Sequence, residues 1–125
     1  MISINEKDVS ICIVNWNTKD LLQTCIRSIK EKTVGLTYEI IIVDNNSQDD
    51  SVQMVKLVYP ECLIVESKKN IGFAKGNNEA LKNASGKYIL YLNPDTELKT
   101  NAIFGMFLFL EKTGKEMTLY IITVQ

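Results

Sequence analysis

The 125 residues contain no histidine. That absence removes Ser-His-Asp triads, Cys-His pairs and imidazole metal ligands. Any chemistry must come from carboxylates, amides, hydroxyls, Lys or Arg, or from a hard cation held by oxygen. Cysteine is sparse: Cys12, Cys25 and Cys62 are an odd number, widely spaced, each inside an apolar stretch. This suits reduced, buried thiols in a cytosolic protein better than a disulfide framework or a zinc site. No block of Lys or Arg occurs and the formal net charge is −1, so binding to nucleic acid has no support. Met1 to Ser10 lacks a basic start and an apolar core, so no signal peptide is expected. The longest apolar run, "AIFGMFLFL" (102–110), is far too short to span a bilayer. It also lacks the flanking Lys/Arg face of a membrane-surface helix, and reads as a buried or interface helix. The patterns GxGxxG and GxxxxGK[ST] are missing as well, which argues against dinucleotide dehydrogenases and P-loop NTPases.

Four short apolar runs are present: "VSICIVNW", "YEIIIVDNN", "CLIVES" and "KYILYLN". They are rich in Ile and Val and nearly continuous, as in strands of a parallel sheet covered on both faces. Segments of helical spacing lie between them. Leu21, Leu22, Cys25, Ile26 and Ile29 form one stripe, with Asn17 or Thr18 as its N-cap. Val52, Val55 and Tyr59 form the next, opened by a capping box of Ser47 and Asp50 and stopped by Pro60. A third helix is expected from about Phe73 to Ala84, with Gly86 as its C-cap. A fourth runs from Ala102 to Lys112, capped by Thr100 or Asn101, and "TLYIITVQ" could add one more strand. The β-α-β-α-β-α-β-α order predicts one α/β domain over 1–125: a three-layer α/β/α arrangement around a mostly parallel, Rossmann-like sheet.

In open α/β sheets, ligands bind beyond the carboxyl ends of the strands. Those ends carry Asn15-Trp16-Asn17, Asp44-Asn45-Asn46-Ser47, Asn70-Ile71-Gly72 and Asn93-Pro94-Asp95. Each alone reads as a polar loop. Together, with Trp16 as a flat stacking surface, they suggest a nucleotide pocket. "NPD" by itself is a turn, since Pro fixes its φ and keeps Asn93 extended. The turn is compatible with a ligand role, because a rigidly held Asp95 carboxylate suits a divalent cation shared with substrate phosphates.

The four motifs "VSICIVNWN", "YEIIIVDNNSQDDS", "NIGFAKGNN" and "YILYLNPDTEL", in this order, resemble the inverting family-2 glycosyltransferases, in particular a rhamnosyltransferase-like branch. The resemblance covers about residues 8–100 and implies the nucleotide-binding half of a GT-A fold, incomplete here, with 101–125 as a divergent tail. It implies a nucleotide-diphosphate sugar donor, Mn²⁺ or Mg²⁺, and an acceptor glycan or lipid-linked glycan in cell-surface polysaccharide synthesis. By resemblance, Val14, Asn15 and Trp16 contact the base, and Asp44 and Asn45 hold base and ribose. Asn70, Gly72 and Lys75 line the donor site. Asn93 and Asp95 stand at the "DxD" position, with Asp95 as the metal ligand. Asn45 and Asn93 replace acids that the family often has. No catalytic base can be assigned, because the family's base comes from an acceptor-binding half. A non-catalytic nucleotide-sugar-binding module is therefore the alternative. A receiver-like signalling domain is disfavoured, since the ends of its first and third strands need acids where this chain has Asn-Trp-Asn and Ser-Lys-Lys-Asn. A cytoplasmic place, at or near the inner face of the membrane, is expected. Uncovered apolar surface around Phe104, Phe107, Phe109 and "LYIITV" suggests self-association.

Overall fold

The structure, a computed structural model, describes residues 7–113 and 119–122. Five strands and four helices alternate along it. They are β1 (Lys7–Asn15), α1 (Lys19–Lys32), β2 (Tyr38–Asp44), α2 (Ser51–Val58), β3 (Leu63–Glu66), α3 (Phe73–Lys82), β4 (Gly86–Leu92), α4 (Ala102–Thr113) and β5 (Leu119–Ile122). The sheet order is β3-β2-β1-β4-β5 and all four pairings are parallel. The α/β architecture read from the sequence is the one observed. "TLYIITVQ" does contribute a strand, at the β4 edge. The chain reverses its direction of travel across the sheet between β1 and β4, the kind of switch point at which such sheets bind ligands.

Alternation along the central strands divides the core in two. Val9, Ile11 and Ile13 of β1 pack with Ile40 and Ile42 of β2 and Leu90 of β4, under α1, α2 and α4. Cys12, Ile41, Val43, Ile89 and Tyr91 face the other way, where Ala80 of α3 covers them. Helix α1 buries Leu22, Cys25, Ile26 and Ile29, the i, i+3, i+4, i+7 stripe of an amphipathic helix, and leaves Leu21 half-exposed. Helix α4 buries Ile103 and Leu110. Phe107 meets Tyr88 edge-on at 5.9 Å, and Phe104 lies over Gly35. Of the three phenylalanines expected to leave apolar surface uncovered, only Phe109 is strongly exposed. The side chains of "LYIITV" lie outside the described residues.

Helix ends depart from the sequence reading, and the reason is competition for the capping groups. Thr18 and Asp50 occupy the N-cap positions of α1 and α2, yet neither side chain caps its helix. The Thr18 hydroxyl donates to Asn15 Oδ1, and the Ser47 hydroxyl of the expected capping box donates to Asp44. Asp49 serves α2 instead, accepting from the Ser51 N–H and hydroxyl. Asn101 does precede α4, but its amide exchanges hydrogen bonds with the backbone of Val34. Helix α3 ends earlier than expected, at Lys82 with Asn83 as C-cap, so Gly86 is not a cap. It opens β4, where a Cβ would lie 2.4 Å from the Ser10 backbone nitrogen. Glycine is required by that close approach rather than by a turn.

Two predictions come from this packing. Gly86→Ala collides with backbone, whereas at Gly76 a Cβ would meet only the Val14 methyls, at 2.9 Å. Overpacking of side chains costs about 1–3 kcal/mol. Chemical denaturation should therefore show Gly76→Ala losing stability in that range and Gly86→Ala losing more. Burial, chiefly, pushes all three thiols from an ordinary value of 9.0 up to about 12. An unfolded chain loses these protons first as pH rises, so the contribution is complete below pH 9 and is lost on the way to 12. Unfolding free energy measured against pH should fall from about pH 9 upward, and a thiol reagent at pH 8 should label Cys12 and Cys25 only when denaturant is added.

Candidate functional site

Parallel register sets Asn15 beside Asp44 at the carboxyl ends of the two central strands. Both side chains are buried, at 0% and 3% exposure, so their polar atoms must be satisfied from within. The Asn15 amide donates to Asp44 Oδ1 at 2.9 Å and accepts from the Thr18 hydroxyl at 2.6 Å. Ser47 donates its hydroxyl to Asp44 Oδ1 at 2.8 Å and its N–H to Oδ2 at 2.9 Å. The Ser47 hydroxyl in turn accepts from the Asn17 N–H. Asn17, in the left-handed region at φ 52°, accepts the Gln48 N–H at 2.7 Å. The loops after β1 and β2 are thereby laced together around one buried carboxylate. Asp49 extends the lacing by accepting the Lys19 N–H. Desolvation works against its charge, but the bonds from Ser51 and Lys19 prevail and hold its carboxyl below the usual range. Sequence reading assigned Ser47 and Thr18 to caps and gave Asp49 no role of its own. The signal for their role as fasteners was the density of Asn, Asp and Ser in both loops.

Trp16 follows this knot and is 53% exposed, so it is no core anchor. Val14, by contrast, is buried with its methyls against the Gly76 position of α3, and its side chain is not presented to solvent. Asn45 is buried too, its amide donating to the Gly72 carbonyl at 3.2 Å and accepting the Ile71 N–H at 3.4 Å. Asn70 is exposed and accepts the Gly72 N–H at 2.9 Å. Lys75 is exposed on the first turn of α3, and Phe73 is half-exposed beside Gly72.

At the end of β4, the Thr96 N–H reaches back to the Asn93 carbonyl at 3.1 Å, closing a turn with Pro94 and Asp95 at its centre. Cys25 of α1 also points its thiol at that carbonyl, and Ser28 accepts the Leu98 N–H at 2.9 Å. The turn is thus pinned to α1, while the Asp95 side chain stands exposed. Its charge lies close enough to Cys25 to add to the effect of burial on that thiol. Beside it the Thr96 hydroxyl is buried without a hydrogen-bond partner. Among the described residues no three His, Cys, Asp or Glu side chains group to enclose a cation. One exposed carboxylate on a rigid turn fits a hard cation completed by phosphate oxygens and water, and does not fit a cage made by protein alone. Trp16, the Asp44 knot, Asn70 and Asp95 therefore share one edge of the sheet, at or in the loops just beyond the strands' carboxyl ends.

The sequence profile described as glycosyl transferase family 2 matches residues 10–125. A poly(ribitol-phosphate) beta-glucosyltransferase of Bacillus spizizenii is 31% identical over 116 residues, covering 89% of this chain and 18% of that protein. The Escherichia coli UDP-Glc:alpha-D-GlcNAc-diphosphoundecaprenol beta-1,3-glucosyltransferase WfaP is 33% identical over 104 residues, covering 82% of this chain and 41% of its own length. This chain thus spans less than half the length of each. Among solved structures, Staphylococcus aureus TarS in complex with UDP superposes with a TM-score of 0.76 at 21% identity, over 84% of this chain and 32% of that one. A mannosyltransferase from Pyrobaculum calidifontis, in complex with GDP-Man and Mn2+, gives 0.69 at 21% identity, over 78% of this chain and 30% of that one. Those two likenesses establish a shared fold. The match over residues 10–125 settles membership: the chain belongs to glycosyl transferase family 2.

Proposed function

We propose that this chain supplies the donor- and metal-binding part of an inverting, metal-dependent transfer of a sugar from a nucleotide-diphosphate sugar to an acceptor glycan or lipid-linked glycan in cell-surface polysaccharide synthesis. The observation that carries the proposal is the convergence of Trp16, Asp44, Asn70 and Asp95 on the carboxyl edge of the sheet, in a chain that belongs to glycosyl transferase family 2. Trp16 offers its exposed ring to the base. Asp44, held by Asn15 and Ser47, lies behind it at the β1–β2 junction, and Val14 and Asn15 contribute through backbone position. Asn70, Gly72 and Lys75 line the phosphate side. Asp95, on its turn, would hold a Mn²⁺ or Mg²⁺, and Asn93 shapes that turn. The cation, when bound, neutralises phosphate charge and stabilises the leaving nucleotide. TarS has been solved with UDP, and the WfaP name carries UDP-Glc, so a uridine donor is the first choice. As part of the same proposal, the reaction takes place on the cytoplasmic side, where lipid-linked acceptors would be reached; no helix among the described residues is long and apolar enough to cross a membrane.

Binding by titration calorimetry, across UDP-, dTDP- and GDP-sugars with and without Mn²⁺, tests the reading. Asp95→Asn should remove the metal-dependent part of the affinity, a loss of about 2–3 kcal/mol, while the fold survives. Trp16→Ala should weaken binding by about 1–3 kcal/mol whether or not metal is present, because stacking on a base does not depend on the cation. Metal-stimulated binding that persists unchanged in Asp95→Asn, together with a lowered Tm, would leave the carboxylate a purely structural turn residue.

A further inference from the structure

Asp44 and Asn45 are adjacent in sequence but serve opposite faces of the sheet. The alternation of β2 sends Ile40, Ile42 and Asp44 toward α1 and α2, and Ile41, Val43 and Asn45 toward α3. Asp44 accordingly joins the knot with Asn15 and Ser47, and Asn45 meets the loop that leads into α3. Asn45 is 2% exposed, and both functions of its amide are used on that loop's backbone: the NH₂ on the Gly72 carbonyl, the oxygen on the Ile71 N–H. The neighbours fix the orientation of the amide, since only the NH₂ can face a carbonyl and only the oxygen can face an N–H. Its own N–H goes to the Asn15 carbonyl at 2.8 Å, so Asn45 is fastened to β1 while it holds the loop.

We infer that Asn45 is a positioning residue of the donor site, a latch that sets the Asn70–Gly72 loop and the start of α3 against the ends of β1 and β2, rather than a group that touches the base. The inference rests on the donor-site reading above for its functional half. The loop carries exposed Asn70 and leads into exposed Lys75, and Gly72, at φ 85°, gives its N–H to Asn70 and shares its carbonyl between Asn45 and the Gly76 N–H. Further along α3, Gly76 lies against Val14 with no room for a Cβ, so the helix is placed at two points, by contact at Gly76 and by hydrogen bonds at Gly72. Asparagine is needed at the second point because one side chain must donate and accept at once. An ionised aspartate, of the same size, offers acceptors only and sets a carboxylate against the Gly72 carbonyl. A protonated aspartate restores the donor.

Two variants and two readouts test this on the full chain, with wild type measured alongside. Asn45→Asp and Asn45→Ala should both raise exchange of the Ile71 amide, read by NMR as a protection factor without nucleotide, while the β1 and β4 core amides stay protected. Both should weaken UDP-GlcNAc with Mn²⁺ at pH 8 by about tenfold, the effect of losing roughly one satisfied buried polar group. Between pH 8 and pH 5 the two losses should recover in Asn45→Asp and persist in Asn45→Ala, because burial raises an aspartate's affinity for its proton. Affinity lost with Ile71 protection intact would make Asn45 a direct ligand contact and overturn the latch. Protection lost with affinity unchanged would overturn its positioning role. If Asn45→Asp fails to fold, the neutral alanine variant carries both readouts. If the wild-type chain binds no nucleotide sugar, the donor-site reading and the positioning role fall together, while Ile71 exchange alone decides whether the latch exists.

Discussion

Everything in this chain hangs on the register of β1 against β2. Seven consecutive pairs run from Val9↔Tyr38 to Asn15↔Asp44, and polar rungs lie near both ends. At one, Ser10 donates to Glu39, whose carboxylate also takes the Ser85 N–H and hydroxyl, and the Ser10 hydroxyl accepts the Gly86 N–H. At the other, Asn15 donates to Asp44. The apolar residues between them would pack nearly as well after a slip in register, since Ile, Val and Cys repeat throughout. The polar pairs would not, because a buried carboxylate or amide left without its partner costs about 1–3 kcal/mol or more. Hydrophobic burial thus holds the sheet together and the rungs choose which sheet forms. The amino-end rung also sets β4, through Ser85 and Gly86, and the carboxyl-end rung sets the ligand loops.

How far the sequence announced this is instructive. Strands with nearly continuous Ile and Val, separated by stripes at helical spacing, identified the parallel layered fold because burial on both faces leaves no other pattern. Trp16 and Asp95 were visible as candidates because each interrupts a local rule, a large aromatic directly after a strand and an acid directly after a proline. Thr18 stands at the N-cap position as read, but the caps expected of the Thr18 and Ser47 hydroxyls do not form, for a physical reason. A hydroxyl near a helix end is suited both to the helix and to any nearer buried acceptor, and Asp44 and Asn15 are the stronger claimants. Each acceptor lies only three residues back in the chain, but the Asn15–Asp44 pair that holds both in place joins residues 29 apart, a distance the parallel crossover closes and local propensity cannot see. Gly86 misled in the same manner: its requirement comes from Ser10, far off in sequence.

The sequence predicts a turn at Asn93-Pro94-Asp95. The segment is a turn, closed by Thr96 onto Asn93 and fastened to α1 through Cys25 and Ser28. If Asp95 holds a cation as proposed, a turn fastened in this way suits it, since reorganising the protein would cost binding free energy. The same logic governs the knot around Asp44, where several hydrogen bonds are spent on one side chain that never reaches solvent freely.

The two faces of the sheet are unevenly dressed. Three helices bury the larger core, and α3 supplies only Ala80 to the smaller one. A helix that gives so few side chains to the core is held instead by the Gly76–Val14 contact and the Asn45 hydrogen bonds, and its leading loop lies on the ligand edge. The molecule therefore builds its frame on one face of the sheet and hangs a lightly packed element of the ligand edge on the other. Within 70–78 the exposed side chains, Asn70 and Lys75 among them, take no part in those two fastenings, so they can be exchanged without disturbing α1, α2 and their knots.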